Sequence, residues 1–213
     1  RRVEMSGRND PTPPSANNGA NPSNSAVAKC PDDPCGKDAI SNVIKCCGSE
    51  IFDEAKKANG DKDPEIVFGT PSSGFDAETN ISTGKITVSS RSNKCTATES
   101  VFFELANLAG KSISQKIATD ASAGDLSRED YAKAKEKKEY DNVKKTHAAI
   151  DKCKEKWGCK SHTFDLDGFR PAKDFNDYYD NYLSESHKNH YRTAWDRKYK
   201  GAYDAKHPSP PKK

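Results

Sequence analysis

The segment from Val101 to Ala109 constrains the fold more than any other, because it is apolar on most of a helical circumference. It reads Val-Phe-Phe-Glu-Leu-Ala-Asn-Leu-Ala, with a single carboxylate, Glu104, among the apolar side chains. A helix that is apolar on nearly all sides has to be covered by other elements of the fold. We therefore expect a central buried helix that begins with Thr98 as its N-cap.

The residues before this helix predict a further helix and two strands. Apolar residues at three- and four-residue steps predict a helix from Asp38 to Asn59. Two β-branched runs predict strands at Glu65–Gly69 and Lys85–Ser90, on either side of a turn-rich segment at 74–84. The predicted fold class is α+β and mainly helical, with a small edge sheet packed on the central helix.

Two helical regions are predicted after the central helix. Ser127, with Asp130 three residues later, is suited to cap a long charged helix from about Arg128 to Lys156. The stretch from Asp174 to about Tyr203 fits one or two helices. Its aromatic residues recur every four positions among Lys and Arg: Tyr191, Trp195, Tyr199 and Tyr203. We interpret this stripe as a face that packs on the core; the alternative is an aromatic–basic surface that binds a partner.

The ends of the chain differ in composition from its centre. Residues 1–28 are rich in Pro, Asn, Ser and Gly, which predicts a disordered linker. We expect a single α+β domain at 29–205 and a flexible tail at 206–213. The chain starts with Arg1 rather than Met, so we expect a fragment or a processed form of a longer protein.

Charge and hydropathy argue against several classes of protein. The formal net charge is +3, which is too small to indicate nucleic-acid binding by itself. No apolar run approaches the roughly 18 residues of a membrane-spanning helix. The sequence contains no P-loop, no dinucleotide-binding glycine motif and no G-x-S-x-G nucleophile motif.

Seven cysteines are many for a cytosolic chain of 213 residues. One interpretation is a set of disulfides formed in an oxidising compartment, with Cys153–Cys159 as the first expected pair. The other is a metal site, for which the spacing of Cys30 and Cys35 fits only loosely. We favour disulfides and therefore a secreted or periplasmic location, and the remaining pairings stay open.

The strand at Lys85–Ser90, which we expect at the edge of the sheet, and the buried helix together resemble the core of the zincin metallopeptidases. The helix reads Phe103-Glu104-Leu105-Ala106-Asn107, where the zincin motif is H-E-x-x-H. In that motif two histidines one turn apart bind zinc, and the glutamate activates the metal-bound water. Phe103 and Asn107 stand in the histidine positions. Phe does not bind zinc and Asn binds it poorly, so zinc is not expected at this helix.

The resemblance spans about residues 60–150 and is closest to zincin-like domains of bacterial secreted toxins and type VI effectors. It implies an effector domain with a degenerate active site formed by Glu104, Asn107 and Glu139. It also implies a protein partner, either a target or a cognate immunity or delivery protein. In the family the third metal ligand lies downstream, and Glu139 and His147 are the candidates here. If the chain is an enzyme, we expect a hydrolase with Glu104 as general acid or base.

Several alternatives remain open for these residues. Glu104 is also consistent with an exposed position or a structural pair, and Glu139 with a surface position. His147 lies on an apolar stripe and is also suited to a core position. His187 and His190 stand three residues apart on a predicted helix, so they are candidate metal ligands for a metal-dependent hydrolase, or part of an exposed polar segment. A non-catalytic interaction module is the remaining hypothesis.

Overall fold

The computed structural model describes residue 44 and residues 48–72, 76–157 and 171–209, without the side chains of Lys94 and of residues 153–157. The chain divides into two compact units. The described residues up to Ala109 and from Lys145 to Trp157 belong to unit 1. The described residues from Gly110 to Lys144, and from 171 onwards, belong to unit 2. The predicted linker at 1–28 lies outside the described residues.

Unit 1 contains a three-stranded sheet and two helices of its own. Its elements in chain order are helix α1 (Ser49–Ala58), strands β1 (Glu65–Gly69), β2 (Ala77–Asn80) and β3 (Lys85–Ser89), and helix α2 (Lys94–Ala109). The strand order is β1-β3-β2, with β3 parallel to β1 and antiparallel to β2. The predicted β3 is therefore a central strand and not an edge strand. The prediction missed β2, which occupies four residues of the segment that we assigned to turns.

Helix α2 is the central buried helix of unit 1, and every side chain from Val101 to Leu108 is buried. It contacts α1 and strands β2 and β3. The helix begins at Lys94, five residues before the start predicted from a Thr98 cap, because Asn93 caps it by accepting a hydrogen bond from the Thr96 amide at 2.9 Å. Thr98 is instead a buried residue within the helix.

Unit 2 is helical throughout its described residues. Its elements are α3 (Lys111–Ser122), the first part of α4 (Arg128–Trp157), the short α5 (Phe175–Asp177), a π-helical turn (Tyr178–Tyr182), α6 (Glu185–Lys198) and α7 (Lys200–Lys206). The predicted cap of α4 is confirmed, because the Asp130 amide donates to the Ser127 hydroxyl at 3.2 Å. Helix α3 was not predicted.

The core of unit 2 is aromatic and aliphatic. Its buried members are Ile117, Ala121, Tyr131, Ala132, Tyr191 and Trp195, with Leu126, Ala134, Tyr199 and Tyr203 packed against them. The aromatic stripe therefore packs on the core, as the sequence predicted. Gly124 has φ +73°, and a Cβ there would lie 2.7 Å from the Ala202 carbonyl oxygen, so glycine permits both the turn after α3 and the close approach of α7.

The α+β, mainly helical fold class is confirmed, and the zincin-like assignment stays a prediction. The single helix predicted from Asp38 to Asn59 is interrupted at Gly48, which is not helical and precedes α1. Ile44 is helical, and residues 38–43 and 45–47 lie outside the described part of the chain. Within the described residues, no helix combines the length and the apolar character needed to cross a membrane. Cys95 is disulfide-bonded, whereas the side chains of the predicted pair Cys153–Cys159 lie outside the described ones.

Candidate metal centre

Three potential metal ligands meet inside unit 2. Glu136 and Glu139 lie one turn apart on α4, and His187 lies on α6. One ligand atom from each residue lies within 4.8 Å of the other two. The exposed fractions are 0% for Glu136, 3% for Glu139 and 8% for His187. Charged side chains are almost never buried to this degree unless they are paired or bind a metal, so this cluster requires an explanation.

The position of His187 is set by the start of α6. Ser184 is the N-cap of this helix, and its side chain accepts a hydrogen bond from the His187 amide. His187 is therefore in the first turn, and Tyr191 follows one turn later on the same face. The two rings meet edge to face, with 6.2 Å between their centroids.

Packing and ion pairs hold α6 against the first part of α4. Tyr191 belongs to the same buried cluster as Tyr131 and Ala132 of α4. On the surface, the Arg192 guanidinium lies 2.7 Å from the Glu129 carboxylate, and the Arg128 guanidinium 2.9 Å from the Asp196 carboxylate. These contacts fix His187 opposite the two glutamates.

The imidazole of His187 lies between the two carboxylates. Its Nδ1 is 2.7 Å from Oε1 of Glu136, and its Nε2 is 3.6 Å from Oε2 of Glu139. The Tyr191 hydroxyl donates a hydrogen bond to Oε1 of Glu139. The remaining oxygen, Oε2 of Glu136, is fully buried and has no hydrogen-bond partner among the described residues. A buried carboxylate oxygen without a partner is costly, which indicates that an ion or a water belongs there.

The electrostatics of the cluster favour the uncharged form of Glu139. Burial, followed by repulsion from Glu136, raises the pKa of the Glu139 carboxyl to about 8. The nearby His187, Lys138 and Lys135 act in the opposite direction and lower this pKa. Two carboxylates this close and this deeply buried cannot both remain ionised without a compensating cation.

Unit 1 also contains buried carboxylates, and Glu104 is the most buried of those among its described residues. Glu104 of α2 is 1% exposed, and its Oε2 lies 2.6 Å from the Thr79 hydroxyl and 3.2 Å from the Asn107 amide nitrogen. Thr79 comes from β2, the strand that the prediction missed. Glu104 is thus neither on a polar face nor at the surface. It is held in the core by neutral hydrogen-bond donors.

The structure groups the predicted site residues differently from the sequence analysis. Glu104 and Asn107 are hydrogen-bonded to each other in unit 1, whereas Glu139 is in the unit 2 cluster with His187. His190 does not join that cluster; it is partly exposed, with its ring centroid 5.0 Å from that of Tyr191. His147 is partly exposed on α4 and is also outside the cluster.

Sequence reasoning missed Glu136 and the role of Tyr191. Glu136 stands in the run Lys135-Glu136-Lys137-Lys138-Glu139, which looks like a solvated helix face. One signal could have identified it. Glu136 stands four residues after Ala132 and four before Tyr140, so helical periodicity places it on the apolar stripe of α4.

Comparison of the chain with protein-family models, with curated proteins and with solved structures finds no match. The chemistry of the two buried carboxylate sites is therefore the basis for assigning a function.

Proposed function

We propose that unit 2 is a metal-dependent hydrolase centre that binds one divalent transition-metal ion through Glu136, Glu139 and His187. The observation that carries this proposal is the buried Oε2 of Glu136, which has no partner among the described residues, within a cluster of ligand atoms no more than 4.8 Å apart. Glutamate and histidine both bind metals in proteins, and the sequence had already indicated His187 as a candidate ligand.

The charge of the cluster supports a cation. With both carboxyl groups ionised, the cluster would carry a net negative charge whether or not the imidazole is protonated. Burying such a charge is unfavourable unless a cation offsets it. A divalent ion would offset both carboxylates and satisfy the remaining oxygen of Glu136 with one partner.

The donor set indicates the class of metal and of chemistry. Two carboxylate oxygens and one imidazole nitrogen suit Zn²⁺, Mn²⁺, Fe²⁺ and Co²⁺. Three protein ligands are typical of catalytic zinc sites, whereas structural sites have four, so an ion held here would keep a position for water. Glu136, Glu139 and His187 would hold such an ion, which would activate water for hydrolysis.

Metal analysis of the full chain tests this proposal. Untagged protein is dialysed against Zn²⁺ or Mn²⁺, then against metal-free buffer, and bound metal is measured by atomic emission. We expect about one equivalent in the wild type and a large loss in Glu139→Gln and in His187→Asn. His190→Asn is the matched control, because His190 is on the same helix but outside the cluster.

Two results would overturn the proposal. One is wild-type protein that retains no metal at micromolar free concentrations. The other is equal metal in His187→Asn and in the wild type, with loss in His190→Asn, His147→Asn or cysteine variants. Circular dichroism of each variant checks that loss of metal is not loss of fold.

A second candidate function is acid–base chemistry at Glu104 in a secreted bacterial effector with a zincin-like scaffold. The burial of Glu104 beside Thr79 and Asn107 favours it, because a carboxyl surrounded by apolar residues is suited to hold or release a proton. The absence of both motif histidines makes such a centre independent of zinc. Under this proposal the effector binds protein partners and acts in an oxidising compartment.

Toxicity on expression separates the two functions. The chain is produced in the bacterial periplasm as wild type, Glu104→Gln and His187→Asn, and growth is measured. If Glu104 is the reactive group, Glu104→Gln alone abolishes growth inhibition while the protein stays folded. If the unit 2 centre is responsible, His187→Asn abolishes it and Glu104→Gln does not.

A further inference from the structure

Tyr191 determines which oxygen of Glu139 is available to a bound ion. The Tyr191 hydroxyl donates to Oε1 of Glu139, and the other oxygen, Oε2, is the one that faces Nε2 of His187 at 3.6 Å. The two oxygens of this carboxylate therefore have different neighbours. One is engaged by a phenol, and the other points to the second potential ligand.

We propose that Tyr191 is a specificity-determining positioning residue that makes Glu139 bind the ion through Oε2 alone and thereby selects small transition-metal ions over Ca²⁺. This inference rests on the proposed metal centre. It assigns Tyr191 a role beyond the core packing and the partner binding that its sequence pattern indicates.

The distance between the two facing atoms fits a small ion. Ligand atoms about 2.1 Å from zinc in a tetrahedral site lie about 3.4 Å apart. The observed 3.6 Å between Nε2 of His187 and Oε2 of Glu139 is close to this separation. Ca²⁺ needs six to eight oxygen ligands at about 2.3–2.6 Å and commonly takes both oxygens of a carboxylate. The hydrogen bond from Tyr191 to Oε1 of Glu139 prevents this two-oxygen binding.

Packing keeps the Tyr191 hydroxyl in place. The residue is 4% exposed, and its ring contacts His187 and His190 edge to face. The Lys135 ammonium lies 5.3 Å from the centroid of the same ring. Because the ring is held on several sides, the hydroxyl cannot swing away to let Oε1 reach an ion without leaving a buried polar group unpaired.

Metal titrations of the full chain test this inference. Co²⁺ and Ca²⁺ dissociation constants are measured by calorimetry for the wild type, Tyr191→Phe and Tyr199→Phe. Phe keeps the ring and removes only the hydroxyl, and Tyr199 is a matched control that packs on Tyr131 in the same core. For Tyr191→Phe we expect Co²⁺ to bind about 10- to 100-fold more weakly. Ca²⁺ binding should stay unchanged or improve, and Tyr199→Phe should change neither.

The results distinguish the proposed role of Tyr191 from the proposed metal centre on which it rests. If the wild type does not bind Co²⁺, the metal centre itself is refuted. If the wild type binds Co²⁺ and Tyr191→Phe shifts both ions equally or neither, the role of Tyr191 is refuted. X-ray absorption of the Co²⁺-loaded wild type needs no variant: one-oxygen binding by Glu139 supports the inference, and two-oxygen binding overturns it.

Discussion

Glu104 in unit 1 and the pair Glu136 and Glu139 in unit 2 have different hydrogen-bond partners. In unit 1, Glu104 accepts hydrogen bonds from the neutral donors Thr79 and Asn107. In unit 2, Glu136 and Glu139 face one imidazole and one phenol, so two carboxyl groups share one buried site. Burial is nearly the same in both places, so burial alone does not distinguish a functional centre from a core residue.

The difference lies in charge, because Glu136 and Glu139 are two carboxyl groups in one buried site. Two adjacent carboxylates repel each other, and the raised pKa of Glu139 reflects this repulsion in addition to burial. A divalent cation would therefore stabilise this pair of carboxyl groups more than it would stabilise Glu104. The unit 2 cluster is therefore the stronger candidate for a metal centre.

The largest expected effect is on stability at Glu104. Replacing Glu104 by Ala leaves a cavity and deprives the Thr79 hydroxyl and the Asn107 amide of their acceptor. We expect the free energy of unfolding to fall by about 3 kcal/mol in urea titrations. Glu104→Gln should cost only about 1 kcal/mol because it retains an acceptor oxygen. Equal, negligible losses for both variants would show that Glu104 has no structural role.

A metal ion should stabilise the protein through unit 2. At a free concentration of 100 times the dissociation constant, Co²⁺ should raise the free energy of unfolding by about 2.7 kcal/mol. The double variant Glu136→Gln/Glu139→Gln should lose this gain, whereas Glu104→Gln should keep it. Thermal unfolding with and without Co²⁺ measures the effect. A gain that persists in the double variant would place the ion elsewhere.

The raised pKa of Glu139 predicts how the stability of metal-free protein depends on pH. Because folding raises this pKa from 4.5 to about 8, the neutral carboxyl favours the folded state below pH 4.5. That stabilisation is lost as the pH rises towards 8. Relative to Glu139→Gln, we expect a loss of roughly 1 kcal/mol per pH unit across this window.

Unfolding in urea at several pH values, with a chelator present, measures this dependence. His187, Lys135 and Lys138 face the same carboxyl and lower its pKa, so they reduce the slope. Exposed Glu65→Gln is the control and should leave the pH profile of the wild type unchanged. A wild-type profile parallel to that of Glu139→Gln would contradict the raised pKa.

The smallest expected effect concerns a single hydrogen bond in unit 1. Thr79→Val keeps the shape of the side chain and removes the hydroxyl that lies 2.6 Å from Glu104. We expect a loss of about 1–2 kcal/mol and no change in metal binding. Thr83→Val, in the exposed turn after β2, is a control that should cost less. A negligible loss at Thr79 would indicate that Asn107 alone can satisfy the carboxylate.

Much of the fold follows from local signals in the sequence. The apolar residues of α2 predicted a buried helix, and Ser127 with Asp130 predicted the start of α4. Strand β2 was missed because Ala77-Glu78-Thr79-Asn80 has little β-branched character and is stabilised by pairing with β3. The start of α2 was misplaced because Thr98 and Asn93 are both suitable caps, and tertiary packing decided between them.

The candidate centre was harder to predict because its members are far apart in the sequence. His187 and Glu139 were each named, but for different sites, and only the packing of α6 on α4 brings them together. Glu136 was missed because a charged run normally indicates a solvated face. The apolar periodicity of α4 identifies the buried side of this helix, but it does not show which distant residue lies opposite.

The most direct test of the metal centre is a crystal structure of the full chain with Co²⁺, with anomalous scattering data collected at the cobalt edge. The proposed function predicts one strong peak about 2.0–2.2 Å from a carboxylate oxygen of Glu136, an oxygen of Glu139 and a ring nitrogen of His187. A peak at His147, at His190 or at cysteines would contradict it. So would an ion-free cluster in crystals grown at saturating Co²⁺.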